Sequence, residues 1–366
     1  MAYHLPAQRP SGGAAYSTPE HDDLAAFYRR NPALVATPLQ MLPCLAQALG
    51  VGELHVKDES SRFGLKAFKS LGVQYALDRL QREDRIRAGT TLACASAGNH
   101  GRAVARAARD LGLPCRVYVG ASSSVGTRRA ISSEGATVVI VAGGYEDAIR
   151  TMIADATAQG WTIVSDASWD GYEEIPRLIM LGYSQLVAEL RAQLPAPPDA
   201  VFVQGGVGGL VCGVAVGLVR EWPDTRPRLV ACEPSNAACL LASARAGHPV
   251  TLGGPLETIM SGLCCAAPSP AAWPVISAVV DAYVAVDDSL AVSAMRTLAN
   301  PVGQDPPIEA GPSGACALAT LVAVMRDEAL RRVREALSLG PASRVVVINT
   351  EGATDPELYG RLVSGV

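Results

Sequence analysis

The chain has 366 residues, 49% of them hydrophobic and 18% charged, with a net charge of −4. That length supports a large buried core and two compact parts, since single cores stop growing near about 250–300 residues. The balance marks a soluble globular protein and excludes the basic footprint of a nucleic-acid binder.

The N-terminal twenty or so residues are rich in turn formers and read as an arm. They lack the basic region and apolar run of a signal peptide, and no apolar stretch in the chain is long enough to span a bilayer, so a cytoplasmic protein with no membrane partner is expected. The nine cysteines show neither CxxC spacing nor a companion histidine cluster, so no metal site is expected.

Short β-branched runs then alternate with Ala/Leu/Arg-rich helical patterns. In chain order the strands are expected at "ELHVK", "TLACAS", "CRVYVG", "TVVIVA", "TIVSDA", "VFVQGG", "RLVACE", "AYVAV" and "RVVVIN", with helices over 99–111, 145–159 and 176–194 among those between them. This alternation predicts an α/β fold of two lobes, each a mostly parallel twisted sheet flanked by helices. Ligands in such folds sit beyond the carboxyl ends of the strands. The expected division is 1–87 with 185–366 as the larger part and 88–184 as a smaller insertion. Residues 248–274 read as an ordered surface loop.

All three lysines, Lys57, Lys66 and Lys69, lie within "VKDESSRFGLKAFKS", against 28 arginines elsewhere. A guanidinium stays protonated, whereas an amine can lose its proton and attack a carbonyl. Lysines also collect on solvated helix faces without chemical consequence, so position has to decide. Lys57 ends the first strand candidate and Lys66 precedes a helix expected from about Ala67, so either could line the crevice. Lys69 is expected one turn into that helix, between Phe68 and Leu71, where desolvation favours the neutral amine.

Two further strand ends carry chemistry. "ASAGNHG" leads from a strand into a helix, where the free N–H groups of Ser96, Ala97, Gly98 and His100 could bind a carboxylate, or Asn99 could simply cap the helix. "VFVQGGVGG" places Gly205, Gly206, Val207, Gly208 and Gly209 before another helix. It lacks the lysine and hydroxyl of a P-loop and the downstream acid of a dinucleotide site, so a single small phosphate is the better ligand.

An amine, a phosphate turn and a carboxylate-binding turn are together what pyridoxal phosphate and an amino acid require. The segments "KDESSRFGLKAFKSLG", "SAGNHGRAVA", "SDASWDGYEEIP", "QGGVGG", "ETIMSGL" and "NTEGATD" resemble, in the same order, the diaminopropionate ammonia-lyases, which are fold-type-II pyridoxal-phosphate enzymes. The resemblance implies pyridoxal 5′-phosphate as cofactor, Lys69 as Schiff-base lysine, Asn99 on the cofactor's 3′ oxygen, and the 205–209 turn on its phosphate. It implies Asn349 or Thr350 against the pyridine nitrogen, a neutral partner that suits elimination. Asp166 matches an acid that moves protons on the L-substrate, although by position alone a turn or cap residue is the preferred reading. Ala97 stands where the family usually carries an acid credited with serving the D-isomer. A homodimer acting on a small amino-acid substrate is implied. The expected activity is α,β-elimination on L-2,3-diaminopropionate, giving pyruvate and ammonia. The rivals are a dehydratase-like elimination or β-replacement on another β-substituted amino acid, and a non-catalytic regulatory protein that binds the cofactor.

Overall fold

The computed structural model describes residues 1–7, 19–32 and 34–365. Most of the expected N-terminal arm, residues 8–18, lies outside the described residues. The strands are β1 (Ala2–His4), β2 (Leu39–Met41), β3 (Glu53–Asp58), β4 (Leu92–Ala95), β5 (Cys115–Gly120), β6 (Thr137–Val141), β7 (Thr162–Ile163), β8 (Ala200–Gln204), β9 (Arg228–Pro234), β10 (Ala282–Val286) and β11 (Arg344–Asn349). The chain forms two compact units, residues 1–68 with 183–366 and residues 69–182, so the first crossing falls at Lys69 rather than near residue 88.

The first unit is a seven-stranded sheet in the order β1-β10-β9-β8-β11-β3-β2. The five central strands are parallel, and their apolar runs are buried on both faces, as a helix-covered parallel sheet requires. The three-residue edge strands β1 and β2 pair antiparallel. Leu54, Val56, Phe202, Val230, Val284 and Val345 belong to its core. The chain runs β8, β9, β10 outward on one side and returns through β11 to the other side of β8. The strand order therefore reverses between β8 and β11, and the carboxyl ends there are Gln204 and Asn349.

The second unit is a fully parallel four-stranded sheet, β6-β5-β4-β7. Its core contains Ala93, Ala95, Tyr118, Ala148 and Met152. Here β4, β5 and β6 run outward, and β7 returns beside β4. The order reverses between β4 and β7, so the loops after Ala95 and Ile163 flank the crevice point of this unit.

Two local expectations are corrected. The helical pattern over 176–194 is two helices, Glu174–Tyr183 and Gln185–Gln193, interrupted at Ser184. The helix expected from about Ala67 begins later, spanning Ser70–Arg82. Lys69 is the residue that precedes it, and the Lys69 carbonyl accepts from Val73 N at 3.4 Å. The loop expected over 248–274 holds one 3-10 turn, Ser261–Leu263, and ends in the helix Trp273–Val279.

Lys57 does not line a crevice. Its side chain is 0% exposed, and Nζ donates to Glu189 Oε2 at 2.6 Å, Thr37 O at 2.8 Å and Gln193 Oε1 at 3.0 Å. Arg62 joins the same cluster, donating to Glu59 Oε2 at 2.7 Å and to both Glu189 oxygens at 2.8 and 2.9 Å. Two cations thus meet two carboxylates with the polar atoms mutually satisfied, the condition under which buried charge is tolerated. Burial pulls the Lys57 amine below its ordinary value, and Glu189 opposes that shift. Removing Glu189 would leave Lys57 and Arg62 sharing Glu59 alone. Glu189→Ala is expected to lower unfolding free energy by about 3–5 kcal/mol in urea titrations. A loss below about 1 kcal/mol, typical of an exposed pair, would contradict this burial.

Candidate active site

Lys69, at the leading edge of the helix Ser70–Arg82, directs Nζ to Asp166 Oδ2 at 2.5 Å. The two side chains are 24% and 17% exposed, so the pair is largely but not fully withdrawn from water. Asp166 lies three residues beyond the two-residue strand β7, which is too short to hold the following turn by its own ladder. Tyr172 supplies the missing restraint. Its hydroxyl accepts from Ser165 N at 2.9 Å and donates to Ile163 O at 2.9 Å, and its ring stacks on Trp169 with centroids 4.2 Å apart. Val164 N donates to Ala93 O at 2.8 Å, continuing the register of β4 and β7.

Burial opposes ionisation of Asp166, but the electrostatic interactions with His100 and Lys69, together with the Lys69 hydrogen bond, outweigh burial and hold the carboxyl well below the usual carboxylate range. His100, expected among the carboxylate-binding residues, is 4% exposed. Its Nε2 lies 2.9 Å from Val164 O, and its Nδ1 faces Asp166 Oδ2 at 3.7 Å. Burial, with the Lys69 charge, pulls the imidazole below its ordinary value.

The turn at residues 96–99 follows β4 and opens the helix Asn99–Asp110. Gly98 is the extended N-cap with no side-chain cap, and Ser96 Oγ accepts from Gly98 N at 3.2 Å. The start of this helix, without a side-chain cap at Gly98 and with Ala97 adding no charge, is a dipole-favoured place for an anion. Gly101 has to be glycine, because a Cβ there would lie 2.4 Å from Ser96 O and 2.9 Å from Val117 Cγ1. Within this unit the reversal point of the sheet thus brings together Lys69, Asp166, His100 and the 96–99 turn.

In the first unit the turn 205–209 leaves β8 and enters the helix Gly209–Glu221. Gly205 N donates to Cys232 O at 2.8 Å, Val207 O accepts from Ser269 N at 2.8 Å, and Gly208 is left-handed at φ 95°. A Cβ on Gly208 would lie 2.4 Å from Ile276 Cδ1, and one on Gly205 would lie 2.6 Å from Leu240 Cδ1. The turn therefore presents bare backbone at a helix N-terminus, as a phosphate cradle does. Beside it at the same reversal point are Asn349 and Thr350. Asn349 Nδ2 donates to Asp58 Oδ1 and Glu309 O, both at 2.9 Å, so both amide protons are committed. The Thr350 carbonyl accepts from Phe68 N at 3.2 Å, and Asn349 Oδ1 is buried without a hydrogen-bond partner.

Lys66, the third lysine, has a left-handed backbone at φ 58° and pairs with Glu309 Oε1 at 2.9 Å, both side chains being about 40% exposed. The sequence missed the Tyr172 latch and the link from His100 to Asp166. Each is a contact between residues with no shared local pattern, so no short-range signal could have revealed it.

A family model for pyridoxal-phosphate dependent enzymes matches residues 31–351. The diaminopropionate ammonia-lyase of Salmonella typhimurium is 36% identical over 368 residues, covering 93% of this chain and 91% of that one. The holo diaminopropionate ammonia lyase from Escherichia coli superposes with a TM-score of 0.90 at 33% identity, over 99% of this chain and 96% of that one. The same enzyme has been solved with an aminoacrylate-PLP azomethine reaction intermediate. The biosynthetic L-threonine dehydratase of Mycobacterium tuberculosis is more distant, at 27% identity over 98% of this chain and 77% of that one. The chain belongs to the pyridoxal-phosphate dependent enzymes and, among them, to the diaminopropionate ammonia-lyase family.

The residues present fit that cofactor. An amine with an acid partner stands at one reversal point, and at the other a glycine turn, in which a Cβ on Gly205 or Gly208 would collide with Leu240 or Ile276, opens a helix beside Asn349 and Thr350.

Proposed function

We propose that the protein is a pyridoxal-phosphate-dependent ammonia-lyase that eliminates across the α,β-bond of L-2,3-diaminopropionate, releasing pyruvate and ammonia. The observation that carries this reading is the Lys69–Asp166 ion pair at 2.5 Å. It sets an amine able to bond covalently beside a carboxylate kept ready for a proton.

Bound pyridoxal phosphate supplies an aldehyde for amines and a ring that accepts the electron pair left when the α C–H bond breaks. Lys69 is the residue that bonds to it. The backbone N–H groups of turn 205–209 hold its phosphate at the start of a helix. Asn99 meets its 3′ oxygen. Thr350 is assigned to the ring nitrogen because both Asn349 amide protons are already committed and an unprotonated nitrogen needs a donor. The turn formed by Ser96, Ala97, Gly98 and His100 holds the substrate carboxylate at the start of the helix, and that turn's lack of negative charge favours an anion there. Asp166 accepts and returns protons on the substrate and attracts its β-ammonium. As part of the same proposal the protein is a cytoplasmic homodimer; among the described residues no helix is long and apolar enough to cross a membrane.

The test is pyruvate release from a panel of L-2,3-diaminopropionate, L-serine and L-threonine, with Lys69→Ala as control. Fastest release from the diamine, and a loss of many orders of magnitude in Lys69→Ala, is expected. Preference for serine or threonine would favour a dehydratase, and cofactor binding without pyruvate from any substrate would favour a regulatory binder.

Stereochemistry gives a second expectation. Inverting the α-carbon carries its proton to the opposite face, and Ala97 has no group to take it there. D-2,3-diaminopropionate is expected to react about a hundredfold more slowly than the L-isomer, the usual loss for one missing general base. Equal kcat/KM for the two enantiomers would mean that another group serves both faces.

A further inference from the structure

His100 Nδ1 is a buried nitrogen with no hydrogen-bond partner, and such atoms call for an explanation. Its other nitrogen determines the tautomer. Nε2 lies 2.9 Å from Val164 O, a carbonyl that can only accept, so Nε2 carries the hydrogen and Nδ1 of the neutral ring presents a lone pair. That lone pair faces Asp166 Oδ2 at 3.7 Å. Two acceptors facing one another in a water-poor site repel, and a single proton between them turns the contact into a hydrogen bond. In the form described here the Lys69 ammonium satisfies Asp166 from the other side, so no such proton is called for.

The remaining titratable groups around Asp166 do not supply one. Burial pushes the Cys94 thiol well above its ordinary value, and burial likewise raises the Tyr172 phenol, so both stay neutral. Lys69 is the one amine here that turnover engages elsewhere.

We propose that His100 is a positioning residue for Asp166, its Nδ1 held open to accept a hydrogen bond from the carboxyl once Asp166 has taken up a proton. The balance is simple. The substrate C–H bond breaks with its electron pair left on carbon, the proton forms an O–H bond on Asp166, and His100 aims that O–H without being oxidised, reduced or covalently changed. The proton returns by the same O–H. This rests on the reading of Asp166 as the group that exchanges a proton with substrate.

The test uses nitrogen NMR of the full-length chain labelled in histidine, before cofactor or substrate is added, with His100 assigned by the signal missing in His100→Gln. In the unsubstituted protein the ring is expected as the neutral Nε2–H tautomer at pH 7. In Lys69→Met the ammonium is gone, and the His100 titration midpoint is expected to rise by about one pH unit or more, toward proton sharing with Asp166. The double variant Lys69→Met/Asp166→Asn is expected to lose that rise. Lys69→Gln serves in the same role if Lys69→Met does not fold. A neutral Nδ1–H tautomer in the unsubstituted protein, an unmoved midpoint in the lysine variant, or a rise that persists in the double variant would each overturn the proposal. None of these readouts involves turnover, so their failure is distinct from the absence of pyruvate that would defeat the proposed function.

Discussion

An ammonium at the amino end of a helix stands at the wrong end of the macrodipole, and Lys69 stands there, immediately before the helix Ser70–Arg82. Partial withdrawal from water adds to that cost, and the Asp166 carboxylate at 2.5 Å offsets both. The arrangement works in both directions, since the same cation keeps Asp166 ionised against its burial. The acid is held ionised in part by this cation, so a reaction that engages the amine changes the proton affinity of the acid. The Tyr172 latch on the Asp166 turn and the glycine contact at Gly101 both fix the backbone on which this pair depends.

The three lysines show how environment separates one amine from another. Lys57 is tied into a buried four-charge cluster, and Lys66 makes a half-exposed pair with Glu309. Only Lys69 sits at a sheet's reversal point beside an acid that is itself held in place. An arginine could make each of these ion pairs; none could shed its proton to become a nucleophile. The reversal points follow from chain order alone. In each unit the sheet grows to one side and then returns, and the loops on either side of that return are the ones left free for ligands.

Much of this was legible in the sequence because it rests on local pattern. The long apolar runs of β8 to β11 announce buried parallel strands, and glycines between a strand and a helix announce an anion turn. The edge strands β1 and β2 were not legible, since three residues give no periodicity to read. The apolar periodicity also runs through Ser184 although the helix breaks there. The role of Lys57 was hidden for another reason. Its partner Glu189 is remote in sequence, and nothing local distinguishes a strand-end lysine that points into a crevice from one paired inside the core. The same limit concealed the facing of His100 and Asp166, while the family resemblance singled out Asp166 where position alone did not.

The central claim is that Lys69, and neither of the other two lysines, is the amine that bonds the cofactor. Borohydride reduction of the full-length protein loaded with pyridoxal phosphate, followed by peptide mass mapping, reads this directly because the chain contains only three lysines. A single phosphopyridoxyl adduct on Lys69 is predicted; an adduct on Lys66 or Lys57, with Lys69 unmodified, would contradict the account.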